Sequence, residues 1–103
     1  MGFIIVYITH KNEENAMKVV KHLLDKKLIA CANTFPIKSS YIWNSKIANE
    51  DEIVTIVKTR KENWESLRSE VEKIHPYETP CIMRIDVTAN SSYEEWIGKE
   101  TSK

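Results

Sequence analysis

Between Leu28 and Val57 runs a long stretch of strand-forming residues with one polar turn inside it, and no other feature limits the available folds as much. Strand character resumes over 28–32, is interrupted by Pro36, continues through Tyr41-Ile42-Trp43 and turns at Asn44-Ser45-Lys46. The return arm carries Ile47 and then Ile53-Val54-Thr55-Ile56-Val57. At about 3.3 Å per residue the first arm would extend roughly 50 Å, whereas a domain of this size has a diameter on the order of 35 Å. The hairpin must overhang its own domain, bend at Pro36, or both. An overhanging arm leaves edge backbone and aromatic surface exposed, a hazard unless something covers it. The simplest cover is another copy of the same chain in a closed ring. The sequence thus predicts a homo-oligomer, with Tyr41, Trp43 and the C-terminal Trp96 at subunit contacts, where aromatic residues are enriched.

The flanking segments complete a pattern. Residues 3–8 form a β-branched and aromatic run, a strand buried on both faces. Asn12 followed by Glu13 and Glu14 starts a helix, with a cap residue and then acids at the positive end of the dipole. Ala16, Met17, Val19, Val20, Leu23 and Leu24 recur at helical spacing, while His22 falls on the polar, solvated side. Thr59-Arg60-Lys61-Glu62 reads as a capping box. Trp64, Leu67, Val71 and Ile74 make one helical stripe, residues 82–87 alternate as a strand, and residues 93–97 form a short terminal helix. The order is β-α-β-β-α-β in a single domain, 1–103. It predicts an α+β, ferredoxin-like antiparallel sheet with two helices on one face and a long central hairpin.

Composition removes several classes of function. Fifteen Lys and Arg balance fifteen Asp and Glu, so no basic footprint for nucleic acid or an anionic membrane exists. No apolar run approaches the roughly 20 residues that span a bilayer, and the N-terminal run lacks the basic flank of a signal peptide. Two glycines, Gly2 and Gly98, leave no phosphate-cradling loop. Cys31 and Cys81 are expected as free thiols. No Ser-His-Asp order and no paired carboxylates in an apolar frame stand out, so no enzymatic activity is predicted.

Chemistry concentrates in His75-Pro76-Tyr77-Glu78-Thr79-Pro80-Cys81. Two prolines fix φ and push the residues before them towards extended geometry, which holds polar side chains in one pose. His75 could ligate a metal through neutral imidazole, or could cap its helix. Cys81 and Cys31 are soft donors suited to Cu(I), or small buried hydrophobes. Tyr77 and Glu78 could line a polar cleft with Lys58, or form a structural ion pair. His10 with Glu13 and Glu14 is a weaker metal candidate, since the helix dipole already explains the acids.

Three stretches taken together resemble the CutA family of divalent-cation tolerance proteins. They are Leu28-Ile29-Ala30-Cys31-Ala32-Asn33, then Ser40-Tyr41-Ile42-Trp43 through the hairpin to Val57-Lys58-Thr59-Arg60, then His75-Pro76-Tyr77-Glu78-Thr79-Pro80. Tyr93-Glu94-Glu95-Trp96-Ile97 also fits. The resemblance implies a tight, cytoplasmic homotrimer whose hairpins complete neighbouring sheets, and a role in tolerance of copper or other divalent metal ions. The family's copper site uses a cysteine near the end of the first strand and two adjacent histidines before the Pro-Tyr pair. Here Ile8 and Ile74 occupy two of those positions, and only His75 matches. The trimeric architecture also resembles the PII signalling proteins. That implies an alternative, a small effector bound in inter-subunit clefts at Lys58, Tyr77 and Glu78. A purely structural trimer that presents its surface to a protein partner is a third reading.

Overall fold

The computed structural model describes residues 2–102. Strand β1 (Phe3–His10) is followed by helix α1 (Glu13–Asp25), strands β2 (Cys31–Trp43) and β3 (Lys46–Thr59), helix α2 (Trp64–Ile74), strand β4 (Ile82–Val87) and helix α3 (Ser91–Glu100). The sheet order is β2-β3-β1-β4, with every neighbouring pair antiparallel. This is the ferredoxin-like arrangement that the element order predicts.

The alternation of β1 explains the layering. Ile4, Val6 and Ile8 point to one face and pack with Val19, Val20 and Leu23 of α1 and Leu67 and Val71 of α2. Both helices therefore lie on that face. The third helix lies against one end of the opposite face, where Tyr93 meets Phe3 edge-on and reaches Lys58. Beyond it, among the described residues, that face carries uncovered apolar side chains: Ile5 and Tyr7 are half-buried, and Phe35, Met83 and Ile85 are exposed.

Helix α1 opens as its sequence predicts. The Asn12 side chain accepts the Asn15 N–H at 2.8 Å, with Glu13 and Glu14 in the first turn. It closes through the left-handed Lys27, φ 57°, with Leu28 N–H on the Leu23 carbonyl and Lys27 N–H on that of Leu24. That turn delays the strand expected from Leu28. Leu28 and Ile29 stay buried in the connection, and β2 begins only at Cys31.

The hairpin overhangs and does not break. β3 meets β1 only over 53–59, so residues 37–43 and 46–52 pair solely with each other. The molecule measures 45 × 24 × 21 Å, a long axis close to the roughly 43 Å of a thirteen-residue strand. Pro36 is expected to interrupt this arm, yet β2 runs straight through it. β2 is an edge strand, where a missing N–H faces no neighbour. Asn44 and Ser45, φ 52° and 64°, close a two-residue turn of the kind that matches strand twist.

The capping box at Thr59 does not form. Thr59 is the last residue of β3, a short 3-10 turn covers Lys61–Asn63, and α2 starts at Trp64 with no side-chain cap. Thr59 Oγ1 instead accepts from Asn63 Nδ2 at 3.0 Å. Trp64 is partly buried against the core, as its stripe predicts.

Candidate functional site

The connector leaves α2 at His75, whose extended φ and ψ, −76° and 133°, are those the following proline requires. His75 is 8% exposed, and its Nε2 lies 2.8 Å from the Thr9 carbonyl oxygen. A carbonyl only accepts, so Nε2 carries the proton and donates. The neutral ring then offers Nδ1 as an acceptor, and the Tyr77 N–H donates to it at 3.2 Å. Both nitrogens are thus committed to holding the connector against the end of β1.

Behind this ring lies His10, stacked on His75 with centroids 5.5 Å apart. Its Nε2 meets Thr55 Oγ1 at 2.7 Å, and its Nδ1 is buried without a partner. Burial first, and then the neighbouring His75, push His10 from 6.5 down to about 4, against the opposing pull of Glu52. His10 is a core residue rather than part of a loop metal site with Glu13 and Glu14. His22, expected as solvated, is instead bonded to Glu70 Oε1 at 2.8 Å. That bond, with help from Lys73, holds the Glu70 carboxyl down at about 2.

On the front of the connector, the Tyr77 hydroxyl donates to Glu52 Oε2 at 2.5 Å. Burial and then this bond push the phenol well above its usual range. One step along the same face of β3, the Tyr41 hydroxyl donates to Glu50. These groups, with Trp43, Glu78 and Cys81, surround an open cavity of about 590 Å³ between the outer hairpin and the connector.

The donors at the connector do not fit a resident copper ion. The Nδ1 lone pair of His75 is occupied by Tyr77. Burial, and secondarily Glu52, push the Cys81 thiol up, away from the thiolate a soft metal needs. Cys31 sits at the start of β2, and Cys81 just before β4, on opposite edges of the sheet. Three strand spacings, about 14 Å, separate those edges, so the two thiols of one chain cannot share an ion. Among the described residues no three His, Cys, Asp or Glu side chains gather to hold a metal.

The expected cleft forms only in part within one chain. Tyr77 and Glu78 share the cavity, but Lys58 lies six residues along β3 from Glu52, roughly 20 Å away. Its ammonium contacts Tyr93 Oη at 3.2 Å and Cys31 Sγ at 4.0 Å. Tyr41, Trp43 and Trp96 are all exposed and available for contact with another copy. Glu52 and Thr55 escaped sequence reasoning because their partners, Tyr77 and His10, lie at least 25 residues away and no local pattern joins them.

Residues 4–100 match the profile of the family described as CutA1 divalent ion tolerance protein. The chain is 46% identical over 101 residues to the divalent-cation tolerance protein CutA of Pyrococcus horikoshii, covering 97% of this chain and 99% of that one. Its structure is similar to that of the periplasmic divalent cation tolerance protein CutA from Archaeoglobus fulgidus. The TM-score is 0.95 at 40% identity, over 97% of this chain and 99% of that one. CutA1 from Oryza sativa superposes with a TM-score of 0.95 at 30% identity, over 100% and 96%.

Proposed function

The chain belongs to the CutA1 divalent ion tolerance family, and on that premise we propose that it serves divalent-cation tolerance in the cytoplasm as a homotrimeric scaffold, not as a tight copper chelator. The observation that carries this reading is the distribution of uncovered apolar surface. Ile42 and Ile47, opposite each other at the hairpin tip, are 75% and 78% exposed. Among the described residues, the sheet face bearing Ile5, Tyr7, Met83 and Ile85 has no cover beyond α3 at one end. A lone chain with that much apolar surface invites association, and a closed ring satisfies both features at once. The unpaired thiols Cys31 and Cys81 suit a reducing compartment.

Complementation of a copper-sensitive strain tests the proposal. His75→Ala should retain tolerance, because it removes a connector latch and no required ligand. Ile42→Asp with Ile47→Asp should lose tolerance together with assembly. Loss of tolerance in an assembled His75→Ala protein, with loss of stoichiometric copper binding, would overturn the scaffold reading.

A further inference from the structure

We propose that Cys31 and Lys58 form a reversible cross-link driven by peroxide, a sulfenamide in which the Lys58 nitrogen is bonded to the Cys31 sulfur. The strand register carries the pairing. Cys31 and Lys58 are direct partners across β2 and β3, which sets their Cβ atoms about 5 Å apart on one face of the sheet. Lys58 Nζ lies 4.0 Å from Cys31 Sγ. The ammonium is also tied to Tyr93, donating to Oη at 3.2 Å and lying 5.5 Å from the ring centre. No carboxylate pairs with Lys58 among the described residues, so no opposite charge draws it away from sulfur. Tyr93 comes from α3 of the same chain, so the cluster is complete within one copy.

The oxidant is hydrogen peroxide, and the thiolate is the form that attacks it. Cys31 is a free, half-buried thiol, within reach of so small a molecule. Sulfur bonds one peroxide oxygen and the O–O bond breaks. The departing hydroxide takes a proton from the Lys58 ammonium and leaves as water. Sulfur has then lost two electrons to peroxide and is a sulfenic acid, and Lys58 is a neutral amine. A sulfenic acid condenses with a nearby thiol or nitrogen. Cys81 lies on the opposite edge of the sheet, so within one chain the nitrogen of Lys58 is the available partner. Its lone pair attacks sulfur, the S–N bond forms, the S–O bond breaks, and the oxygen leaves as a second water with a proton from nitrogen. Two equivalents of an external thiol reverse the reaction, becoming a disulfide as they return the Cys31 thiol and the Lys58 amine. The cross-link removes the Lys58 charge, ties the start of β2 to the end of β3, and keeps sulfur from the irreversible sulfinic state. The proposal is independent of the tolerance reading.

Mass spectrometry of the full-length Cys81→Ala protein, assembled as purified and treated with stoichiometric hydrogen peroxide, tests this. Each chain should lose two hydrogens, a proteolytic digest should contain one peptide joining Cys31 to Lys58, and dithiothreitol should restore the starting mass. Lys58→Arg keeps a cation that can reach Tyr93 but lacks the amine. It should lose the cross-link entirely and gain oxygen instead, as sulfenic and then sulfinic acid. Cys31→Ser should show neither change. The peptide map of the Lys58-containing protein decides the question even where Lys58→Arg fails to fold. An unchanged mass, a gain of oxygen with Lys58 present, or a two-hydrogen loss that survives Lys58→Arg would overturn the proposal. So would a disulfide-linked pair of chains as the main product.

Discussion

Removing the titratable ring at residue 10 should flatten the acid limb of the stability curve. His10 is 1% exposed, stacked on His75 and bonded to Thr55. In the unfolded chain its imidazole takes up a proton near 6.5, and in the folded chain only near 4. Between those values the unfolded state binds more protons, so stability is present above about pH 6.5 and is lost as pH falls towards 4. At about 1.4 kcal/mol for each pH unit, the loss from this one group is about 2 kcal/mol at pH 5 and about 3 kcal/mol below pH 4. His10→Asn keeps a polar group beside Thr55 and does not titrate. Urea unfolding at fixed protein concentration should show wild type and variant converging from pH 7 to pH 5, with the wild type losing about 2 kcal/mol more over that range. Parallel pH profiles for the two proteins would refute the claim that His10 is held neutral by burial.

Three further outcomes follow from the packing. Lys27→Gly should raise the melting temperature by relieving a left-handed lysine (about 1 kcal/mol, partly offset by backbone entropy), whereas Lys27→Ala should give no gain in the same thermal melts. Leu23→Ala, at a fully buried position of α1, should cost about 2–5 kcal/mol in chemical denaturation. Tyr77→Phe strips Glu52 of its hydrogen bond and should cost about 1–3 kcal/mol by the same assay, the penalty of an unsatisfied buried carboxylate.

The fold was legible because its signals are local. Alternation in 82–87, the helical recurrence from Ala16 to Leu24 and the Asn12 start each need only a few neighbouring residues, and each formed. The overhang of the hairpin was legible for the same reason, since it follows from counting residues on either side of Asn44 and Ser45. What failed depended on context. Pro36 breaks a central strand but not an edge strand, and only the sheet order shows which β2 is. Thr59 looks like a cap until pairing with Ile4 claims it for β3. The site was legible by address and not by role. The connector 75–81 was found, yet the commitment of both His75 nitrogens needs Thr9, 66 residues away, and the neutral state of His10 needs a stacked partner. Such pairings leave no trace in spacing. Nor did the sequence predict that Tyr77 would face Glu52 rather than Lys58, a matter of register along β3.

Assembly is the claim on which the functional reading depends, and sedimentation equilibrium measures it directly. The wild-type chain should sediment with three chain masses across micromolar concentrations, and Ile42→Asp with Ile47→Asp should shift it towards one. A wild-type chain that remains at a single chain mass throughout that range would contradict the account, because its uncovered sheet face and hairpin tip would then be stable in water alone.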